Sequence, residues 1–239
     1  MNKIMRIATI TAALGLTAFG VFMVVKPAET QTQTAAIPPV TTTLLEDLRA
    51  LQEEPLKVYP FDRVMGSADA PVTIIEYASL TCSHCAHFHE DTLPYIEREW
   101  IKTGKAKYVL RDLPWDNLAF AMGKTARCAP QENYFRAVAA IMKNQEAIVT
   151  SKGIDGIVAK LAEVVEPFGL SSRQVNSCIN GSADDHAIIA AMKDSALKSL
   201  GVQGTPVTFV NGQKIDGAQP YNKVKPILQN AYDAATKGK

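Results

Sequence analysis

The sequence lacks a surplus of either charge. Its 25 Lys and Arg stand against 24 Asp and Glu, with no basic stripe, which leaves nothing to hold a nucleic-acid backbone. It lacks an internal repeat, which excludes a stacked-repeat architecture. It is poor in cysteine, with four in 239 residues. Only Cys82 and Cys85 are closely spaced; Cys128 and Cys178 stand alone and far apart. A structural zinc site commonly draws on two such pairs. His87 and His89 could complete a set with Cys82 and Cys85, but side chains so close along one helix point in different directions. The residues ask for no metal and no cofactor.

What is present centres on Thr81-Cys82-Ser83-His84-Cys85. The stretch before it, Pro71 to Ser79, is short, apolar and β-branched, and reads as a buried strand. The stretch after it, Ala86 to Lys102, reads as a helix in which Pro94 should introduce a kink. The cysteines therefore sit where a strand runs into a helix N-terminus. Unpaired N–H groups and the positive end of the helix dipole favour an anion there. A Cys82 thiolate would be that anion, so its pKa should be depressed. His84 can add a positive charge or an N–H donor. A good leaving group makes the Cys82–Cys85 disulfide labile and oxidising. An inert structural disulfide is the weaker reading, because so short a loop gains little from closure.

The chain is long enough for one large domain or two small ones. Lys3 and Arg6 precede an uncharged run from Ile7 to Val25, the pattern of an export signal. Ala18-Phe19-Gly20 offers a cleavage site, yet the apolar run continues past it, which favours an uncleaved membrane anchor over a cleaved signal. The charges ahead of the run keep that end in the cytoplasm and place the cysteines outside it, in the periplasm. Residues 1–25 are thus a signal or inner-membrane anchor. Residues 26–55 are a polar linker carrying a short amphipathic helix. That helix opens on a capping box at Thr43-Leu-Leu-Glu46. Its leucines would dock on the chain's own domain or pair with a second copy.

An edge strand broken by Pro60 is expected over 56–65, and a second inner strand over Lys105 to Arg111. Residues 117–197 are Ala-rich and helical, with interruptions near 150–156, 169–172 and 180–182. In an exported protein Cys128 and Cys178 should form a disulfide that staples this block. Beyond it come a strand, an Asn211-Gly212 turn and a second strand. Pro206 opens the first of these and is a candidate cis proline. Glu76 is a carboxylate inside a strand that should be buried. Beneath the site, it could give or take the proton of Cys85. The order is α/β with a helical insertion: 56–116 and 198–239 form one domain, and 117–197 lie inside it.

Glu76, the Cys82-Ser-His-Cys85 motif, Gly204-Thr205-Pro206 and the long helical insertion together resemble the DsbA-like thiol:disulfide oxidoreductases of the bacterial cell envelope. The resemblance covers about residues 58 to 237 and implies a thioredoxin fold with an inserted helical domain. It implies that Cys82 is the exposed nucleophile, that Cys85 is its buried partner, and that a cis Pro206 faces them. Glu76 matches the family's buried acid, and His84 matches the more oxidising members. A second disulfide, here Cys128–Cys178, recurs in one branch. Ser83 replaces the commoner Pro, and Thr205 replaces the Val of the best-known oxidases. The expected activity is introduction of disulfides into reduced exported client proteins, with a membrane partner reoxidising the pair. Two other readings use the same cysteines: an isomerase or reductase, and a copper-binding protein.

Overall fold

Five strands form the frame that positions the cysteines. In the computed structural model, which describes residues 40–237, they are β1 (Arg63–Met65), β2 (Val72–Ala78), β3 (Ala106–Asp112), β4 (Val207–Val210) and β5 (Gln213–Asp216). Their order is β1-β3-β2-β4-β5. β2 and β3 are parallel; every other pair is antiparallel. A parallel pair needs a crossover. Here it is made by α2 (Ser83–Asp91), α3 (Leu93–Ile96) and a π-helical turn, Glu97–Ile101. β2 lies between β3 and β4 and is nearly all buried, as its continuous apolar pattern requires. The β4–β5 turn follows its Asn-Gly pair, with φ 44° at Asn211 and 90° at Gly212; both left-handed values suit these residues.

Between β3 and β4 the chain is helical: α4 (Asn117–Cys128), α5 (Tyr134–Lys143), α6 (Gln145–Val149), α7 (Gly153–Val165), α8 (Ser172–Gly181) and α9 (Ala183–Asp194). The α-helices break at 129–133, 144, 150–152, 166–171 and 182; the first two fall where no interruption was expected. Cys128 and Cys178 are joined, with their Cα atoms 6.1 Å apart, tying the end of α4 to α8. Helices α4 to α8 share one apolar cluster with the sheet. Tyr108 and Leu110 of β3 meet Met122, Tyr134 and Ile141 within it. The last helix, α10 (Tyr221–Thr236), covers β2 and β4.

Local expectations needed correction in three places. The first helix, α1 (Thr42–Glu53), is not opened by Thr43 and Glu46. Thr41 is the N-cap, its hydroxyl accepting from the Leu44 N–H at 3.3 Å. The helix docks on its own domain: Leu48 and Leu51 pack on Ile188 and Met192 of α9, each worth roughly 1.5–3 kcal/mol of burial. The edge strand shrinks from 56–65 to three residues. The Lys57 carbonyl accepts from the Arg111 guanidinium and the chain turns between Tyr59 and Asp62, so this stretch does not run extended along β3. Pro94 breaks its helix rather than kinking it. α2 stops at Asp91 and α3 restarts at Leu93, placing Pro94 in a first turn where no N–H is missed. The expected anchor at 7–25 and most of the linker lie outside the described residues. Among those described, no helix is long and apolar enough to cross a membrane.

Candidate active site

β2 delivers the chain to the site. After Ala78 a turn brings the Cys82 N–H to the Ser79 carbonyl at 3.1 Å, and Cys82 becomes the N-cap of α2, with φ −87° and ψ 118°. An N-cap residue stands over the unpaired N–H groups of the first turn. Cys82 is half-buried and Cys85 is fully buried; neither is disulfide-bonded.

The two thiols are pushed in opposite directions. The Cys82 pKa falls from 9.0 to about 5. The main cause is a hydrogen bond from Cys85; the Thr205 side chain and the backbone N–H groups of Cys85 and His84 add to it, against the opposing effect of burial. Cys85 is pushed far up by its bond to Cys82, by burial and by the charge of Glu76. The reduced state is thus a thiolate beside a protonated thiol. What His84 supplies is its backbone N–H, for its ring stays exposed.

The loop before β4 closes the site from the other side. The Thr205–Pro206 bond is cis, and the Thr205 carbonyl oxygen lies 3.5 Å from Cys82 Sγ, a contact that is a hydrogen bond only when Cys82 is protonated. Glu76 lies in β2 between Leu110 of β3 and Thr208 of β4. It is fully buried. Its Oε2 accepts from the Tyr108 hydroxyl and lies 3.3 Å from His89 Nε2. Its Oε1 has no hydrogen-bond partner.

The residues by which the helical block and the segment before it grip the site carry little signal in the sequence. Gln145, at the start of α6, donates from Nε2 to the carbonyls of Leu80 at 2.8 Å and Cys82 at 3.1 Å. Asp116 caps α4 through Oδ1 and accepts from the Thr81 hydroxyl through Oδ2, both at 2.7 Å. Trp115 donates from Nε1 to Thr205 Oγ1 at 3.0 Å, while its ring stays half-exposed. Asp116 had a local signal, since Asp ahead of a helical run is an N-cap pattern. Gln145 had none, as its partners are more than sixty residues away. His89 had a faint one, because it lies one helical turn beyond Cys85 on the same face. Among the described residues no three His, Cys, Asp or Glu side chains converge as metal ligands would.

A thioredoxin family model matches residues 59–230. Among solved structures the chain is similar to alpha-DsbA1 of Wolbachia pipientis, with 27% identity and a TM-score of 0.69, covering 77% of this chain and 97% of that one. Oxidised BdbD of Bacillus subtilis shares the fold at 16% identity and a TM-score of 0.61, covering 72% of this chain and 94% of that one. A provisionally named protein-disulfide oxidoreductase of Rickettsia conorii is 29% identical over 157 residues, which are 65% of this chain and 55% of that relative. The chain thus spans little more than half of that relative's length. Disulfide bond formation protein D of Bacillus subtilis is 22% identical over 174 residues, covering 70% of this chain and 75% of that protein.

Proposed function

The chain belongs to the thioredoxin family, and from that premise we propose that it is a thiol:disulfide oxidoreductase that introduces disulfide bonds into exported proteins. One observation carries this reading: the Cys82 thiol is drawn down to about 5 while Cys85 is held as a buried thiol. A dithiol whose reduced form is so stabilised has an oxidising disulfide. Each pKa unit by which Cys82 is depressed is worth ~1.4 kcal/mol, equivalent to about 30 mV in a two-electron couple.

In the reaction, a client thiolate attacks Cys82 Sγ of the oxidised pair. The Cys82–Cys85 bond breaks, its electron pair goes to Cys85, and Cys85 takes up a proton. The client backbone lies along Gly204-Thr205-Pro206 in the resulting mixed disulfide. A second client thiolate then attacks the client sulfur and expels Cys82 as a thiolate. Two electrons have passed from client to enzyme. One thiol proton is on Cys85 and the other is in solvent. A membrane partner reoxidises the pair. The periplasm fits this chemistry, and the pattern of residues 1–25 together with the Cys128–Cys178 bond supports that location. Residues 117–197 act as a helical domain inserted into the thioredoxin-like halves, holding the Cys82 loop through Gln145 and Asp116.

The test offers the oxidised full chain one multi-cysteine protein in two forms, reduced and scrambled. Rapid oxidation of the reduced form with little rescue of the scrambled form is the expected result. Rescue of the scrambled form with slow oxidation would make the protein an isomerase. Activity on neither form would end the enzyme reading.

A further inference from the structure

The proton that Cys85 exchanges needs a route to solvent. Cys85 has no exposed surface, yet it must gain a proton whenever the disulfide opens and lose one whenever it closes. During those steps its neighbour Cys82 is bonded to a client or a partner. We propose that the proton enters and leaves through His89, which makes this side chain a positioning residue that connects Glu76 to solvent. The proposal rests on the oxidoreductase reading and assigns that site a second opening.

Three buried side chains, Glu76, Tyr108 and His89, meet one another in the interior. Glu76 is close enough for its charge to raise the Cys85 pKa. Tyr108 donates to Glu76 and is itself fully buried. Burial first, and then the charge of Glu76, keep that phenol protonated, so Tyr108 fixes the carboxylate without passing protons outward. His89 is the third. Its Nε2 lies 3.3 Å from Glu76 Oε2, with only 4% of the side chain exposed, and 3.4 Å from the Tyr108 hydroxyl. Of the three, His89 alone also lines a cleft, of about 360 Å³, between α2–α3 and α5. Met65, Leu93 and Phe135 form apolar walls, and Glu97, Glu132 and Arg136 are the charged groups facing it. An imidazole can accept a proton on one nitrogen and release it from the other. The path therefore runs from cleft water to His89 and on to Glu76; Glu76 Oε1 has no protein partner, so the last transfer to Cys85 Sγ passes through water. It runs backwards when the disulfide re-forms. No electrons move along it, and water is the only co-reactant.

The test isolates the step at Cys85. Reduced full chain is mixed with an excess of an aromatic disulfide that releases a coloured thiolate. Attack by Cys82 gives a first phase proportional to reagent concentration. Attack by Cys85 on the mixed disulfide gives a second, concentration-independent phase. His89→Ala should leave the first phase unchanged and slow the second by about a hundredfold or more, within the range of a lost acid–base group. Added imidazole, which is small enough for the cleft, should restore part of the second phase. His89→Gln should be as slow as His89→Ala and should not respond to imidazole, because its side chain fills the place without carrying a proton. A second phase at the wild-type rate in His89→Gln would overturn the proposal even if His89→Ala did not fold. A slow His89→Ala variant deaf to imidazole would overturn it too. Absence of the second phase in the wild-type chain would instead overturn the oxidoreductase reading, so the two failures are distinguishable.

Discussion

Replacing Asp62 by alanine is expected to lower the stability of the protein by about 3–5 kcal/mol, the loss typical of a broken buried ion pair. Asp62 and Arg111 have no side-chain exposure, and their closest contact is 2.7 Å. The pairing is two-pronged, with Arg111 Nε on Oδ1 at 3.0 Å and an Nη on Oδ2. Arg111 also donates to the carbonyls of Pro55 and Lys57 and to the Tyr77 hydroxyl. Through it, β3 pins the segment between α1 and β1. Without Asp62 a guanidinium stays buried and uncompensated. Asp62 also accepts from the Tyr59 N–H at 2.8 Å, so the turn at Pro60 loosens with it. Urea unfolding measures the loss. A double variant with Asp62→Leu and Arg111→Met should recover much of it, since a buried pair is often replaceable by apolar side chains of similar volume. A loss under about 1 kcal/mol, or a double variant worse than either single one, would contradict this account of the pair.

The opposite change is expected from Asp112→Asn, which should stabilise the protein at neutral and higher pH. Asp112 follows Arg111 at the end of β3 and is buried, with an unpartnered Oδ2. It is covered by α4 at Gly123, where a Cβ would stand 2.7 Å from Asp112 Oδ1. Burial pushes its pKa from 3.8 to about 6; Asp185 adds to the rise and Arg127 opposes it. Because the folded-state value is the higher one, the stability Asp112 allows is complete below the unfolded-state value near 3.8. It is lost as pH climbs through about 6. A rise of that size corresponds to about 3 kcal/mol. Asparagine imitates the protonated acid and does not titrate. The gain should therefore approach that size at pH ~8 and fade towards zero at pH ~4. An equal gain at both would assign the effect to packing instead.

The cysteine pair was legible in the sequence because its logic is local. A strand, a sharp turn and a helix N-terminus occupy consecutive residues, and electrostatics at the helix start bears directly on Cys82. The Asn211-Gly212 turn was legible for the same reason, since both residues tolerate the left-handed backbone found there. Glu76 was legible as an anomaly, a carboxylate in an apolar run. Its partners were not, because Tyr108 reaches it only through the parallel pairing of β2 with β3. Arg111 read as an ordinary strand residue, since its ligands come from a segment some fifty residues earlier. Gln145 shows the same limit from the helical side. The shifted N-cap at Thr41 is a different kind of miss. Three consecutive threonines offer the same hydroxyl, and packing of Leu48 and Leu51 on α9 decides which one begins the helix.

The central claim is that Cys82 persists as a thiolate because Cys85, Thr205 and the start of α2 stabilise the negative charge. The most direct measurement is the ultraviolet absorbance of the Cys82 thiolate in the reduced protein as pH is varied, with a Cys82→Ser variant as the blank. The account predicts a single ionisation near pH 5. Ionisation in the ordinary thiol range, at pH ~8–9, would contradict it.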